Sequence, residues 1–377
     1  MFLIFTPWLL LTLGGAFCHE SFTTFTVPIS ITEQGYRTIP ISLGTPPQEF
    51  NLWLDTGSDP TWVLAQSCVE SCPISDSNRT AYIPSESSTY NATGETLDIN
   101  YLGGAISGTI FTDTLSIENT STGVSTRVLL ANYSNWVWLD ADGMLGLAFP
   151  RAEDAVHASL LESLFNPEIL EAHEFAIYAG RELSPNNGVV QFGGHSTGYN
   201  STDVTYFNVQ RYTDYNNELI YWSTYINRVD FSLNTNEGIQ ANTVYVQNYA
   251  VWDTGSSWIT VPEAYIEDIY AGIGMNYTFI KQGGRPLCED LRKLDFNMTM
   301  ILPEGTITIR PADLIAPGYT EEQYCWPMFE PTSGNGWLVG MYLIRNFYTV
   351  WDLGGWEISE DLQPRLGFAE LKAEYHP

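Results

Sequence analysis

The chain has 377 residues, 44% of them hydrophobic, enough for two ordinary domains or one large two-lobed unit with a sizeable core. Asp and Glu outnumber Lys and Arg by 44 to 15, and the formal charge of −29 argues against nucleic acid or an anionic lipid surface as a partner. That charge also repels itself near neutral pH. An acidic working environment therefore suits the chain, although an acidic surface kept for solubility fits the charge equally well.

In chain order, the first element is an apolar run, Phe2 to Leu13, followed by Gly14, Gly15 and Ala16. It is expected to be a secretory signal over residues 1–18, cleaved after Ala16 or Cys18, and it is too short for a transmembrane helix. Secretion to the extracellular space is the expected destination, with vacuolar or lysosomal routing as an alternative. Of the five cysteines, loss of Cys18 leaves Cys68, Cys72, Cys288 and Cys325. In an oxidising compartment they are expected to form two local disulfides, Cys68–Cys72 and Cys288–Cys325. Zinc is the competing reading, but no histidine stands at ligand spacing beside them, and no metal or other cofactor is expected. Sequons at Asn78, Asn91, Asn119, Asn132, Asn200, Asn276 and Asn297 fit a glycosylated secretory protein. The last residues, Glu374 to Pro377, carry no hydrophobic tail, so no membrane anchor is expected.

The internal patterns are mostly β. Gly44-Thr45-Pro46-Pro47 reads as a turn and Phe50 to Leu54 as a strand. Asp55-Thr56-Gly57-Ser58 follows at its tip. Leu97, Ile99 and Tyr101 alternate, Gly103-Gly104 turn, and Gly108 to Phe111 return, which predicts a hairpin. Val156, Leu160, Leu161, Leu164 and Phe165 recur at helical spacing before Pro167. Val189 to Phe192 is a further strand, bounded by Asn187-Gly188 and Gly193-Gly194. Asp253-Thr254-Gly255-Ser256 then repeats the earlier tetrapeptide 198 residues on. A helix is expected from Pro262 through Ile266, Ile269 and Tyr270 to Gly272 and Gly274. Gly283-Gly284 turns, and Thr306 to Ile309 is a late strand.

The repeat carries the functional reading. A given four-residue string occurs at roughly one position in 10⁵, so two copies are not an accident of composition. Each copy has a second element downstream: Met144-Leu145-Gly146 ends 91 residues after Asp55, and Leu338-Val339-Gly340 ends 87 residues after Asp253. Duplicated lobes about a pseudo-two-fold axis follow, expected as residues 19–206 and 207–377. If the lobes face each other, two carboxyl groups meet, and one must keep a proton because both cannot ionise at that range. Such a pair performs general acid and general base work together, activating water without a metal. Which Asp holds the proton is not legible from sequence. A single Asp-Thr-Gly-Ser would read as an Asx turn in a surface loop. The duplicate reverses that balance, and so do the apolar flanks Leu52-Trp53-Leu54 and Ala250-Val251-Trp252.

At this point the chain resembles a known family. Residues 36–63, Asp142 to Ala148 and Gln191-Phe192-Gly193-Gly194 are similar to the pepsin-like aspartic endopeptidases, whose paired aspartates are themselves the standard illustration of the shared-proton effect. The resemblance spans nearly all of the chain after the signal. It implies an all-β, bilobal acid protease fold with a few short helices, and hydrolysis of an extended polypeptide substrate, with monomer as the default state. It implies Asp55 and Asp253 as the catalytic pair, supported by Thr56, Gly57, Ser58, Thr254, Gly255 and Ser256, the two serine hydroxyls bonding the carboxylates. It makes the hairpin a flap over the substrate, with Tyr101 its tyrosine, Gly103 and Gly104 its bending tip, and Trp62 the indole that orients Tyr101. Both cysteine pairs sit where family disulfides sit. Trp53, Met144 and the flap are expected to shape the substrate pocket, pointing to bulky apolar side chains at the cut. The chain departs from the family at Asp59-Pro60 and Met341, and little sequence separates the signal from Tyr36, where an inhibitory pro-segment would lie.

Three rivals remain. A catalytically silent relative acting as a binding glycoprotein would keep the fold without the activity. A glycosidase could use two carboxylates and stack sugars on the 12 Trp and 22 Tyr. Gly194-His195-Ser196-Thr197-Gly198 matches a nucleophile-elbow pattern, but no helix pattern follows it, and His195 reads as a surface turn residue.

Overall fold

The computed structural model describes residues 24–72, 79–117, 120–137, 139–150, 156, 158–165, 169–180, 188–200, 202–212, 217–316, 323–355 and 362–372. The signal segment and the sequons at Asn78 and Asn119 lie outside them. Two large sheets dominate, and the fold is the expected all-β, bilobal one. The first, thirteen-stranded sheet starts at Thr205–Asn208 and passes through Arg365–Glu370, Phe347–Asp352, Glu174–Tyr178, Gly188–Phe192 and Phe25–Ile31. It continues through Arg37–Leu43, Gln48–Asp55, Gly143–Gly146, Trp62–Leu64, Thr120–Ser134 and Ala105–Ile117 to Asn91–Asn100. The second, seven-stranded sheet orders Thr306–Ile309, Phe296–Ile301, Ser223–Thr235, Gly238–Trp252, Trp337–Val339, Ile259–Pro262 and Phe329–Thr332.

The duplication is visible in the ladders. Gln48–Asp55 pairs in parallel with Gly143–Gly146, which pairs antiparallel with Trp62–Leu64, which pairs in parallel with Thr120–Ser134. Gly238–Trp252, Trp337–Val339, Ile259–Pro262 and Phe329–Thr332 repeat that sequence of directions. The second recurrent element of each half is thus the strand laid beside its aspartate strand. Gly146 and Gly340 admit the turn that follows each aspartate. A Cβ on Gly146 would lie 2.4 Å from the Asp59 carbonyl group, and one on Gly340 2.3 Å from the Trp258 oxygen.

The halves are not separate in the sheet. The late strand Phe347–Asp352 pairs with Glu174–Tyr178, so the end of the chain returns to the sheet of its beginning. Trp222 and Trp351 are fully buried there, each meeting Phe175, and the Trp222 indole donates to the Leu147 carbonyl at 2.7 Å. Each such ring removes about 150–250 Å² from water, ~4–6 kcal/mol at about 25 cal/mol per Å². That burial holds the two aspartate strands at a fixed separation.

Helices are short. Glu263–Gly272 forms as its spacing predicts and buries Ile266, Ile269 and Tyr270. The earlier helix is shorter than its periodicity: it covers only Leu160–Leu164, because the Ser159 hydroxyl caps the Glu162 N–H and sets the start, leaving Val156 outside. Both expected disulfides are formed, with Cα separations of 4.8 and 4.9 Å, so the four thiols the zinc reading needed are bonded in pairs. Among the described residues no helix is long and apolar enough to cross a membrane. Asn91, Asn132, Asn200, Asn276 and Asn297 are all exposed.

Candidate active site

Asp55 closes the strand Gln48–Asp55, and Asp253 directly follows the strand Gly238–Trp252. The two tips are locked to each other by their threonines. Thr56 Oγ1 donates to the Trp252 carbonyl at 2.9 Å and accepts from the Thr254 N–H at 3.0 Å. Thr254 Oγ1 donates to the Leu54 carbonyl at 2.9 Å and accepts from the Thr56 N–H at 3.0 Å. Each hydroxyl satisfies two buried backbone groups of the opposite half, an arrangement that only a duplicated motif meeting its copy produces. Thr56→Val keeps the shape but leaves the Trp252 carbonyl and the Thr254 N–H unpaired. Unfolding in urea is expected to show a loss of about 2–4 kcal/mol, with Thr254→Val matching it. Two valine variants with native stability would contradict the lock.

The glycines bring the carboxyls together. A Cβ on Gly57 would lie 2.4 Å from the Asp253 carboxyl carbon, and one on Gly255 would lie 2.3 Å from Asp55 Oδ1. Each glycine therefore forms the floor under the other half's carboxyl group. The Gly57 and Gly255 N–H groups each donate to their own aspartate at 2.8 Å. Here the symmetry ends. The Ser58 hydroxyl donates to Asp55 Oδ2, whereas Ser256 reaches Asp253 with its backbone N–H at 3.2 Å. The expectation that both serine hydroxyls bond the carboxylates thus meets only one such bond.

Burial raises both carboxyls above the usual carboxylate range. For Asp55 the hydrogen bonds from Ser58, Asp253 and the Gly57 N–H work in the opposite direction and favour its anion. Asp253 is pushed up much further, by burial first and then by the negative charge of Asp55. Two carboxyls in contact cannot both ionise, so the pair holds one proton and titrates as a unit, with the Ser58 hydroxyl bond favouring the anion on the Asp55 side.

The predicted hairpin is formed by Asn91–Asn100 and Ala105–Ile117, closed by a Tyr101 N–H bond to the Gly104 carbonyl at 2.8 Å. The Trp62 indole N–H donates to the Tyr101 hydroxyl at 3.1 Å. Tyr101 also bonds Ser58, and burial followed by the Asp55 charge raises its phenol, so it stays a neutral hydroxyl. A chain of polar contacts therefore runs from Trp62 through Tyr101 and Ser58 to Asp55. Met144 lies below it, its sulfur 3.7 Å from Ser58 Oγ.

Sequence reasoning missed three contributors. Trp136 seats the hairpin tip: a Cβ on Gly103 would come 2.7 Å from its ring, and its centroid lies 5.2 Å from Tyr101 and 5.6 Å from Trp53. Tyr36 packs on Trp53 at 4.4 Å and accepts from the Trp136 side chain. Asp142 accepts from the Asn51 N–H at 2.8 Å and from the Thr80 N–H, pinning the strand that leads to Asp55. Only the concentration of aromatics around residues 136–138 could have drawn attention to Trp136 beforehand. The elbow-like motif is a turn: Ser196 Oγ accepts from the Gly198 N–H at 3.2 Å, and His195 Nδ1 lies 2.6 Å from Glu174 Oε1. His195 is half-buried through that contact rather than fully at the surface.

Comparison with known proteins shows which family the chain resembles over most of its length. The family model described as eukaryotic aspartyl protease matches residues 36–360. Gastricsin of Homo sapiens is 29% identical over 340 residues, covering 87% of this chain and 80% of that protein. Embryonic pepsinogen of Gallus gallus is 28% identical over 361 residues, covering 90% and 84%. Cathepsin E of Mus musculus is 27% identical over 335 residues, covering 85% and 78%.

Proposed function

We propose, for a chain that belongs to the eukaryotic aspartyl protease family and is on that ground a peptide hydrolase, that Asp55 and Asp253 are its catalytic pair and that it cuts extended polypeptides at acidic pH. The observation that carries this reading is the contact between the two aspartates across the threonine lock, with unequal surroundings on its two sides.

The roles follow from the electrostatics. Asp55, anionic and held by Ser58 and the Gly57 N–H, takes a proton from a water bound between the carboxyls. The water oxygen attacks the scissile carbonyl carbon. Asp253, protonated, donates to the carbonyl oxygen as the tetrahedral diol forms. Return of protons to the amide nitrogen then lets the C–N bond break. The hairpin folds over the extended substrate and excludes water, with Tyr101 held in place by Trp62. Residues 19–206 and 207–377 serve as the two lobes of the cleft. Secretion to an acidic compartment or the cell exterior, with carbohydrate on the exposed sequons, completes the reading.

The test is digestion of a denatured protein across pH with and without a pepstatin-type inhibitor, the cut sites being read by mass. Inhibitor-sensitive cleavage that fades as pH rises is expected, because the working state needs one proton on the pair. Stability follows the same sign. A carboxyl whose folded pKa lies above its unfolded value contributes stability that is complete below the unfolded value and lost as pH rises through the folded one. The melting temperature should therefore fall from acidic toward neutral pH, and less steeply in Asp253→Asn. An intact substrate at every pH would favour the silent binding relative.

A further inference from the structure

The internal duplication supplies a control for the substrate pocket. Trp53 stands two residues before Asp55 on its strand, so both side chains project from one face, the face of the cleft. Leu52 and Leu54 point the other way, into the main core. Trp53 faces Met144 across the parallel ladder. In the second half the same positions are Val251, two residues before Asp253, and Leu338, its ladder partner. The two pairs are treated oppositely. Trp53 is 7% exposed and Met144 1%, whereas Val251 and Leu338 are both partly open to solvent. The Trp53 indole is held by Tyr36 at 4.4 Å and by Trp136 at 5.6 Å, and Trp136 carries the hairpin tip. The space beside Asp55 under the hairpin is thus filled by the chain's own rings, and it cannot be emptied without moving three aromatics together.

We propose that the two sides of the cleft are unequal: the position beside Asp55 takes a small side chain such as Gly, Ala or Ser, and the position beside Asp253, walled by Val251 and Leu338, takes a bulky apolar one. Trp53 is the residue that sets the difference. The inference rests on the peptidase reading above. It narrows the expectation of bulky apolar side chains at the cut to the side of Asp253, because a large apolar residue near a site fills space as readily as it lines space.

The test is cleavage of a mixed peptide library by the full chain, with sites read by mass, for wild type, Trp53→Val and Trp53→Leu. Trp53→Val copies the second half, and Trp53→Leu keeps the assay open if the smaller residue prevents folding. Wild type is expected to show a small residue at one of the two positions flanking the cut and a bulky apolar residue at the other. Either variant should raise kcat/KM for Leu or Phe at the restricted position by about tenfold or more and leave the other position unchanged. Equal acceptance of Phe on both sides by wild type, or an unchanged small-residue preference in a folded variant, would overturn the proposal. If wild type cuts nothing, the peptidase reading fails, and the pocket is read instead by binding. Two pepstatin-type inhibitors differing only in Ala or Leu beside Asp55 would be compared by thermal shift. Preference for Ala in wild type and for Leu in the variant supports the filled pocket, and the same order in both overturns it.

Discussion

Replacing either Asp55 or Asp253 by Asn is expected to lower kcat for peptide hydrolysis by about 10³-fold, with KM little changed. General acid–base catalysis by a positioned group contributes roughly 10²–10⁴-fold, and here each group serves one of the two proton transfers of a single attack. Asn is nearly isosteric with Asp and keeps an oxygen for the Gly57 or Gly255 N–H, so the tips and the threonine lock persist. What disappears differs between the two. At position 55 it is the anion that takes the proton from water. At position 253 it is the acidic hydrogen that the carbonyl oxygen receives. The double variant should be no worse than the poorer single one, because the pair acts as a unit. Steady-state kinetics on one peptide, with a melting curve to show that the variants fold, checks all three. A folded Asp55→Asn protein keeping a tenth of the wild-type rate would refute the assigned chemistry, and a wild type no faster than its variants would identify a silent relative.

How much of this is legible in the chain depends on what each feature is made of. The recurrence of Asp-Thr-Gly-Ser is a statement about order along the chain, and it survives any folding detail. So do the Leu97-Ile99-Tyr101 alternation and the Gly103-Gly104 turn, because a hairpin is local. The reciprocal threonine bonds are different. Nothing in Thr56 says that its partners are Trp252 and Thr254; they meet only because the sheet carrying Gly238–Trp252 is brought against the first by a shared core around Trp222 and Trp351. The unequal serines are likewise invisible, since two identical tetrapeptides cannot announce that one uses its hydroxyl and the other its backbone. Trp53 is the most instructive case. Its alternation with Asp55 puts it on the cleft face, which sequence conveys. Whether it lines a pocket or fills one depends on Tyr36 and Trp136, which lie 17 residues before it and 83 after it. The helix near Val156 failed for a local reason: apolar spacing continued past the point where Ser159 caps the backbone.

The second large effect is expected from the smallest change, Gly57→Ala or Gly255→Ala. Neither glycine sits at a positive φ, so the backbone itself would accept alanine. The obstacle is contact alone. The new methyl carbon would start 2.4 Å from the Asp253 carboxyl carbon, or 2.3 Å from an Asp55 oxygen, where about 3.5 Å is needed. It cannot be absorbed by a flexible side chain, because the atoms it meets are the reacting carboxyls, held from below by N–H donors and from the sides by the threonine lock. The aspartates must part by about 1 Å. A displacement of that size costs about 10²-fold in rate, and overpacking of this kind costs roughly 1–3 kcal/mol in stability. Gly336→Ala is the matched control: it too has no positive φ, and its nearest neighbour, the Tyr249 carbonyl, lies at an ordinary 3.4 Å. Rates and melting temperatures of the three variants separate the cases. Loss of rate confined to positions 57 and 255 requires that the two carboxyls share one small volume, each resting on the other half's glycine. Full activity in Gly57→Ala would mean that they do not, and the proton they are held to share would have no common place to sit.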